Sequence, residues 1–144
     1  MAYSETALEN FAEGFNCAQS VFAAFSEKYA LPRESALRIA GGFGGGMRSG
    51  EICGAVSGAV MVIGLRYGQT ASGDREAKAL CGEKTREFLN AFKEKHGSII
   101  CRELLGYDVS TQEGKKTGEE RDPSKSTCKS LIADAADTLA GLGY

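Results

Sequence analysis

The sequence predicts an all-α protein: a single domain, residues 1–144, formed by a bundle of about six helices around a central buried helix at about residues 51–66. Three observations support this fold class. From Ile52 to Leu65 only Ser57 is plainly polar, and such a run suits a core helix but is too short to span a bilayer. Apolar residues recur three and four positions apart in several other stretches. No stretch shows the alternation that is typical of a half-buried strand.

The composition is that of a globular domain. The apolar content is 42% and the charged content 25%, and 144 residues suffice for one sizeable core. The formal net charge of -2 gives no reason to expect nucleic acid or an anionic membrane as a partner. The N-terminus lacks a basic region followed by an apolar one. We therefore expect no signal peptide, no membrane insertion and a cytoplasmic location.

Three amphipathic helices are predicted before the central one. Ser4 can cap the first, and Gly14 ends it. Asn16 begins the second, because Gln19 three residues later completes a capping box. Pro32 suits the first turn of the third. The buried stripe of the second helix comprises Ala18, Val21, Phe22, Phe25 and Tyr29.

A glycine-rich segment, Gly41 to Gly50, leads into the central helix. Such a loop can cradle a phosphate, but here no strand precedes it and no Lys-Ser/Thr pair follows it. We interpret it as a tight, irregular connection that brings backbone close to the site. In the central helix, Gly54 and Gly58 are small enough for a second helix to approach one face. We predict that these two glycines form a cofactor-binding surface.

Two helices are predicted after the central one. A long amphipathic helix runs from Asp74 to Lys95 and ends at Gly97. Its apolar side comprises Ala77, Leu80, Cys81, Phe88, Ala91 and Phe92. Ser98 can cap a short helix that ends at Leu105.

A polar segment, Gly106 to Thr127, separates these helices from the last one. We interpret it as a solvated loop, with a lid over the site as the alternative. The last helix starts after Ser126 or Thr127. Its buried stripe comprises Cys128, Leu131, Ile132, Ala135, Ala136 and Leu139.

Four of the five cysteines share one placement. Cys17, Cys53, Cys101 and Cys128 each lie in the first turn of a predicted helix, on or beside its buried face. A first turn offers unpaired N–H groups and the positive end of the helix dipole. Both should lower the pKa of a thiol and favour the thiolate, which attacks disulfides and binds metals. Cys81 lies mid-helix on a packed face, and we interpret it as a small hydrophobic residue.

Several familiar sites are excluded by spacing. No C-x-x-C occurs, so neither a zinc-ribbon nor a thioredoxin signature is present. The haem attachment motif C-x-x-C-H is also absent. His96 is the only histidine, which excludes a multi-histidine metal site within one chain and leaves it as the one partner for a Cys–His pair.

Five segments together carry a recognisable pattern: Asn16-Cys17-Ala18-Gln19, the Gly-Gly-Phe-Gly-Gly-Gly-Met loop, Cys53-Gly54-Ala55-Val56-Ser57-Gly58, Ser98-Ile99-Ile100-Cys101-Arg102-Glu103-Leu104, and Cys128. The chain resembles, over nearly its whole length, a family of small redox-active bacterial proteins with the pattern C…CGAxxG…C…C. The resemblance implies that Cys17, Cys53, Cys101 and Cys128 are the family's four cysteines and that Cys81 lies outside the pattern. Related proteins are linked to iron–sulfur or haem redox chemistry.

The leading hypothesis is a redox role for the four thiols, and it has two forms. In one, Cys17, Cys53, Cys101 and Cys128 are metal ligands that hold an iron–sulfur cluster or a single Fe or Zn ion. In the other, two of them are catalytic and cycle through a disulfide, with Cys128 as the resolving thiol. Four converging helix N-termini favour the metal form slightly, because they suit a buried anionic centre.

Other functions use the same residues. One alternative is a non-catalytic metal-binding or thiol-sensing protein, and another is a helical interaction module with structural cysteines. The redox partner is not identified by the sequence. Whether the protein is an enzyme, and whether it forms a homodimer, both stay open.

Overall fold

The chain folds into eight α-helices in the computed structural model, which describes residues 1–144. They are α1 (Tyr3–Ala12), α2 (Cys17–Ser26), α3 (Arg33–Ile39), α4 (Gly54–Tyr67), α5 (Arg75–His96), α6 (Cys101–Leu105), α7 (Gln112–Arg121) and α8 (Ser126–Gly141). The predicted all-α class is confirmed, with more helices than the six or so expected. None of these helices combines the length and the apolar character needed to cross a membrane.

Helix α4 lies at the centre of the bundle, where it packs against α2, α5 and α8. Its buried residues are Gly54, Ala55, Val56, Gly58, Ala59, Val62 and Ile63. The helix begins at Gly54, a few residues later than predicted, because Cys53 is its N-cap and Ile52 is paired in extended backbone with Ile100. The central buried helix expected from the apolar run is therefore present.

Glycines allow α2 and α4 to approach each other closely. A Cβ atom at Gly58 would lie 2.6 Å from the carbonyl oxygen of Ala18, and one at Gly54 would lie 2.9 Å from the Cβ of Cys17. Side chains are not tolerated at such distances, because protein interiors are already close-packed. The close helix contact predicted from these two glycines is observed, while their cofactor-binding role stays a prediction.

The ends of α2 and α5 follow the capping signals in the sequence. Asn16 and Gln19 form a complete capping box at the start of α2. The Asp74 side chain caps α5, and Gly97 ends it in the left-handed conformation with φ 82°. Ser4 does not cap α1: the helix begins one residue earlier, and its first turn has no side-chain cap.

The segment from Gly106 to Thr127 contains helix α7, so the prediction of a solvated loop is wrong. Thr111 caps α7 by accepting a hydrogen bond from the N–H of Gly114. Gly114 lies directly against the carbonyl of Asp108, and a Cβ at Gly118 would lie 2.8 Å from the ring of Tyr107. Glycine at these two contacts permits the packing but lowers helix propensity, which is why the sequence pattern did not indicate a helix.

The first half of α5 is less buried than its apolar pattern predicts. Leu80 is 40% exposed and Cys81 is half-buried, whereas Phe88 and Phe92 are fully buried. Only the second half of the predicted stripe therefore contributes to the core.

Candidate functional site

Four of the five cysteines lie at the N-terminus of a helix. Cys17 and Cys101 are the first residues of α2 and α6. Cys53 is the N-cap residue of α4, and Cys128 is the third residue of α8. Cys81 lies in the middle of α5, and all five thiols are free. The placement predicted for the four cysteines is the one that the structure has.

The four N-terminal thiols are neighbours in space. Cys17 and Cys128 lie close enough for each thiol to shift the pKa of the other. Cys17 also experiences the charges of Cys53 and Cys101, and Cys101 experiences those of Cys53 and Cys128. The only histidine, His96, lies 3.0 Å from the carboxylate of Asp134, outside this cluster.

The contact between α2 and α4 brings Cys17 to the start of the central helix. Gly54 faces the Cβ of Cys17, so the first residue of α2 sits over the first turn of α4. The capping box fixes the beginning of α2, and the Asn16 amide also donates to the carbonyls of Ala40 and Gly41. Cys17 is thereby positioned by Gly54 of α4 and by its own N-cap residue, Asn16.

A single antiparallel bridge brings Cys53 and Cys101 together. Ile52 pairs with Ile100. The N–H of Cys53 donates to the carbonyl of Ile99 at 2.8 Å, and the N–H of Cys101 donates to the carbonyl of Glu51 at 2.5 Å. Residues next to a bridged pair point to the face opposite that pair. Cys53 and Cys101 therefore share one face of the bridge and are diagonal neighbours on it.

The glycine-rich segment packs behind Cys101. Four consecutive residues have left-handed backbone angles: Gly45 with φ 62°, Gly46 with 64°, Met47 with 59° and Arg48 with 57°. This conformation costs a residue with a side chain about 1–2 kcal/mol. A Cβ at Gly46 would lie 2.9 Å from the Cβ of Cys101. The segment is the tight, irregular connection that the sequence indicates, and it brings backbone against a site cysteine.

Asp122 holds the start of α8, which carries Cys128. Its carboxylate accepts hydrogen bonds from the N–H groups of Ser126 and Thr127, both at 3.0 Å, and from the Ser126 hydroxyl at 2.7 Å. These donors lower the pKa of Asp122 to about 2, the Thr127 N–H most of all. The sequence pattern did not single out this residue, which lies outside the helix that it caps.

The thiols of Cys17 and Cys128 have opposite pKa displacements. The neighbouring Cys128 thiol and burial raise the pKa of Cys17 well above its usual range. The neighbouring Cys17 thiol lowers the pKa of Cys128, and the nearby charge of Lys125 lowers it further. Cys17 therefore keeps its proton, and Cys128 is the preferred thiolate of the pair.

Burial determines the behaviour of the other two thiols. Cys53 is 5% exposed and Cys101 is 7% exposed. Burial raises the pKa of Cys101 to about 12, and it also raises the pKa of Cys53. The N–H groups of Ala55 and Val56 oppose the rise at Cys53 without overcoming it. The expectation that each helix N-terminus lowers its thiol pKa is therefore wrong for Cys17, Cys53 and Cys101, because desolvation outweighs the helix dipole.

Tyr107 is a further residue of this region. It packs against Gly118 of α7, and the charges of Cys128 and Cys101 act on it. Burial is the first cause that raises its pKa, and the charge of Cys128 is the second. It had no sequence signal beyond being the one aromatic residue of the polar segment.

The arrangement of donors does not fit a metal site as it stands. No group of three or more His, Cys, Asp or Glu side chains in the chain is arranged to hold one metal ion. Iron–sulfur clusters and structural zinc need four converging thiolates. The strongest mutual influence in the site is instead between two thiols, Cys17 and Cys128.

Comparison with known proteins identifies one family. The model of the family described as "Putative redox-active protein (C_GCAxxG_C_C)" matches residues 15–142, which include all four clustered cysteines. The label writes its central motif as GCAxxG, whereas this chain has Cys53 before Gly54. No curated protein and no solved structure matches the chain.

Proposed function

The chain belongs to the redox-active C_GCAxxG_C_C family, and from that premise we propose that it carries out thiol–disulfide exchange through Cys17 and Cys128. The observation that carries the proposal is the proximity of these two thiols at the N-termini of α2 and α8, where one is predisposed to be a thiolate and the other to stay protonated. A reactive dithiol needs this asymmetry, because the thiolate attacks and the second thiol resolves the intermediate.

The exchange proceeds in two balanced steps. The Cys128 thiolate attacks one sulfur of a disulfide on the redox partner, which forms a mixed disulfide and releases one partner thiolate. Cys17 then loses its proton to that thiolate and attacks the sulfur of Cys128, which releases the second partner thiolate. The protein dithiol is oxidised to the Cys17–Cys128 disulfide, and the partner disulfide is reduced. The reverse sequence oxidises a partner dithiol.

Cys128 has the attacking role in this proposal, instead of the resolving role suggested by the sequence. Its pKa is lowered, and its side chain is half-buried and not fully enclosed. Lys125, the N-cap of α8, contributes its charge to the thiolate. We place this chemistry in a reducing compartment, the bacterial cytoplasm, where free thiols persist and disulfides are transient.

Metal binding is a second candidate. It is favoured by the proximity of four cysteines, since four thiolates are the ligand set of iron–sulfur clusters and of structural zinc. Cys17, Cys53, Cys101 and Cys128 would be the ligands, and their side chains would have to move closer together. A protein that binds metal or senses oxidants without turnover would use the same residues.

Disulfide mapping of the full chain tests the proposal. Protein purified anaerobically is treated with one equivalent of diamide for 1 min, alkylated and digested, and its linkages are identified by mass spectrometry. We expect a Cys17–Cys128 link, lost in Cys17→Ser and Cys128→Ser and retained in the control Cys81→Ser. Repeated reduction of a model disulfide by the protein would distinguish a catalyst from a sensor.

The same preparation tests the metal candidate. Iron, zinc and acid-labile sulfide are measured before oxidation, together with the visible absorbance. Stoichiometric metal that is lost in the Cys53→Ser variant, with no Cys17–Cys128 link on oxidation, would overturn the exchange proposal in favour of a metal site.

A further inference from the structure

Two thiols of the site have no role in the exchange described above. Cys53 and Cys101 are almost fully buried, whereas Cys17 and Cys128 are half-buried. A disulfide on another molecule cannot approach the sulfur of a residue that is 5–7% exposed without opening the fold. A disulfide on another protein therefore reaches Cys53 and Cys101 only through the sulfurs that neighbour them.

The bridge between Ile52 and Ile100 places these two thiols at nearly the distance of a disulfide. They are diagonal neighbours on one face, and such neighbours lie roughly 7–8 Å apart. The Cα atoms of a disulfide lie roughly 4.4–6.8 Å apart. The bridge consists of one residue pair with no further strand pairing. A disulfide between Cys53 and Cys101 therefore requires only these two short segments to move closer together.

Cys17 connects the buried thiols to the half-buried ones. Gly54, the residue after Cys53, faces the Cβ of Cys17. Cys17 also lies near Cys128 and shifts its pKa. Cys17 therefore lies on a path from Cys128 to the start of α4, where Cys53 adjoins Cys101 across the bridge.

From this path, and resting on the exchange function proposed above, we propose that Cys53 and Cys101 are a second dithiol, which takes over the disulfide from Cys17 and Cys128. The Cys53 thiolate attacks the sulfur of Cys17 and releases Cys128 as a thiolate. Cys101 then attacks the sulfur of Cys53 and releases Cys17. One S–S bond breaks and one forms in each step. The two protons pass from Cys53 and Cys101 to Cys128 and Cys17. No external oxidant is needed for this transfer.

Time-resolved disulfide mapping of the full-length Cys81→Ser protein tests the relay. Reduced protein receives one equivalent of diamide, and samples are quenched with acid and alkylated between 1 s and 1 h. We expect the Cys17–Cys128 link first, followed by a Cys53–Cys101 link that grows as the first declines. A second equivalent of diamide then oxidises all four thiols, whereas the Cys53→Ala variant accepts one equivalent and stops at Cys17–Cys128.

The outcomes separate this proposal from the one on which it rests. If Cys17–Cys128 forms and persists while Cys53 and Cys101 stay fully alkylated with both one and two equivalents, the relay is refuted and the exchange function stands. If no Cys17–Cys128 link forms at any time, both are refuted. Because the mapping on the Cys81→Ser protein needs no change at a buried cysteine, misfolding of Cys53→Ala would not affect the conclusion.

Discussion

Cys128 differs from the other three clustered cysteines in its immediate surroundings. All four sit at helix N-termini, but only at Cys128 do the neighbouring Cys17 thiol and the charge of Lys125 outweigh the cost of burying a thiolate. Burial raises the pKa of Cys101, which is 7% exposed, to about 12. The reactivity of the site is therefore set by local partners more than by the helix dipole.

The rate of alkylation of Cys128 should depend on the neighbouring Cys17 thiol. In Cys17→Ala this thiol is lost, the pKa of Cys128 rises, and reaction with iodoacetamide at pH 7 slows, by about tenfold for each unit of pKa change. Cys17→Ser keeps a hydroxyl donor and should retain much of the wild-type rate. The measurement is a pH–rate profile by mass spectrometry. Equal profiles for the two variants would show that the neighbouring side chain does not control Cys128.

Asp122 should make the stability of the protein sensitive to acid. Its folded pKa of about 2 is below the unfolded value of about 3.9, so its contribution is fully present above pH 4 and is lost as the pH falls toward 2. Asp122→Asn should lower the melting temperature at pH 7. Near pH 2, the difference in melting temperature between this variant and the wild type should become smaller. Asp137→Asn, an exposed change within α8 itself, is the control. A gap between Asp122→Asn and wild type that stays constant from pH 7 to pH 2 would contradict this assignment.

At the scale of elements, the site depends on how closely α2 can approach α4. Gly58 lies against the backbone of Ala18, one residue after Cys17. The apolar run and its small residues were sufficient to predict this contact, because small residues at helix spacing have few other structural uses. Helix α7 could not be predicted in the same way, since Gly114 and Gly118 serve contacts with Asp108 and Tyr107 that appear only in the folded chain.

Gly58→Ala and Gly64→Ala are a matched pair within α4. A Cβ at Gly58 would lie 2.6 Å from the Ala18 carbonyl oxygen, so this change should destabilise the protein by about 1–3 kcal/mol and separate Cys17 from Cys53. Gly64 has open space around it, and alanine there should stabilise the helix by about 0.5–1 kcal/mol. Urea unfolding measures both effects. The changes in the free energy of unfolding should have opposite signs for the two variants. A stable, fully active Gly58→Ala or Gly58→Leu protein would refute the role of the α2–α4 contact.

At the scale of the whole molecule, the sequence predicted the architecture and the placement of four cysteines at helix N-termini better than the chemistry of these cysteines. Helix ends such as Asn16, Asp74 and Gly97 follow from local capping rules and were predicted correctly. The pKa values of Cys53 and Cys101 depend on burial and on distant neighbours, which a local pattern does not contain. The bridge that joins these two residues has only one residue pair, too short for strand periodicity to reveal.

A Cys17–Cys128 disulfide should stabilise the whole fold, because it joins α2 near the beginning of the chain to α8 at its end. In the chain-entropy model, closing a loop of about 100 residues contributes roughly 4.7 kcal/mol. The midpoint of urea unfolding should therefore be higher for the oxidised than for the reduced protein. Cys128→Ser should show no such difference, while the Cys81→Ser control should. An unchanged midpoint on oxidation of the wild type would indicate that the link forms only in an unfolded chain.

The bridge between Ile52 and Ile100 also fixes when the site can exist during synthesis. Cys17 and Cys53 leave the ribosome well before Cys101, and Cys128 follows last, so the early thiols pass through a period without their native partners. Contacts between distant parts of a chain are the slow ones to form. The paired thiols therefore form only once Cys128 has been synthesised, and a product that stops before it would carry Cys17, Cys53 and Cys101 without their native partner.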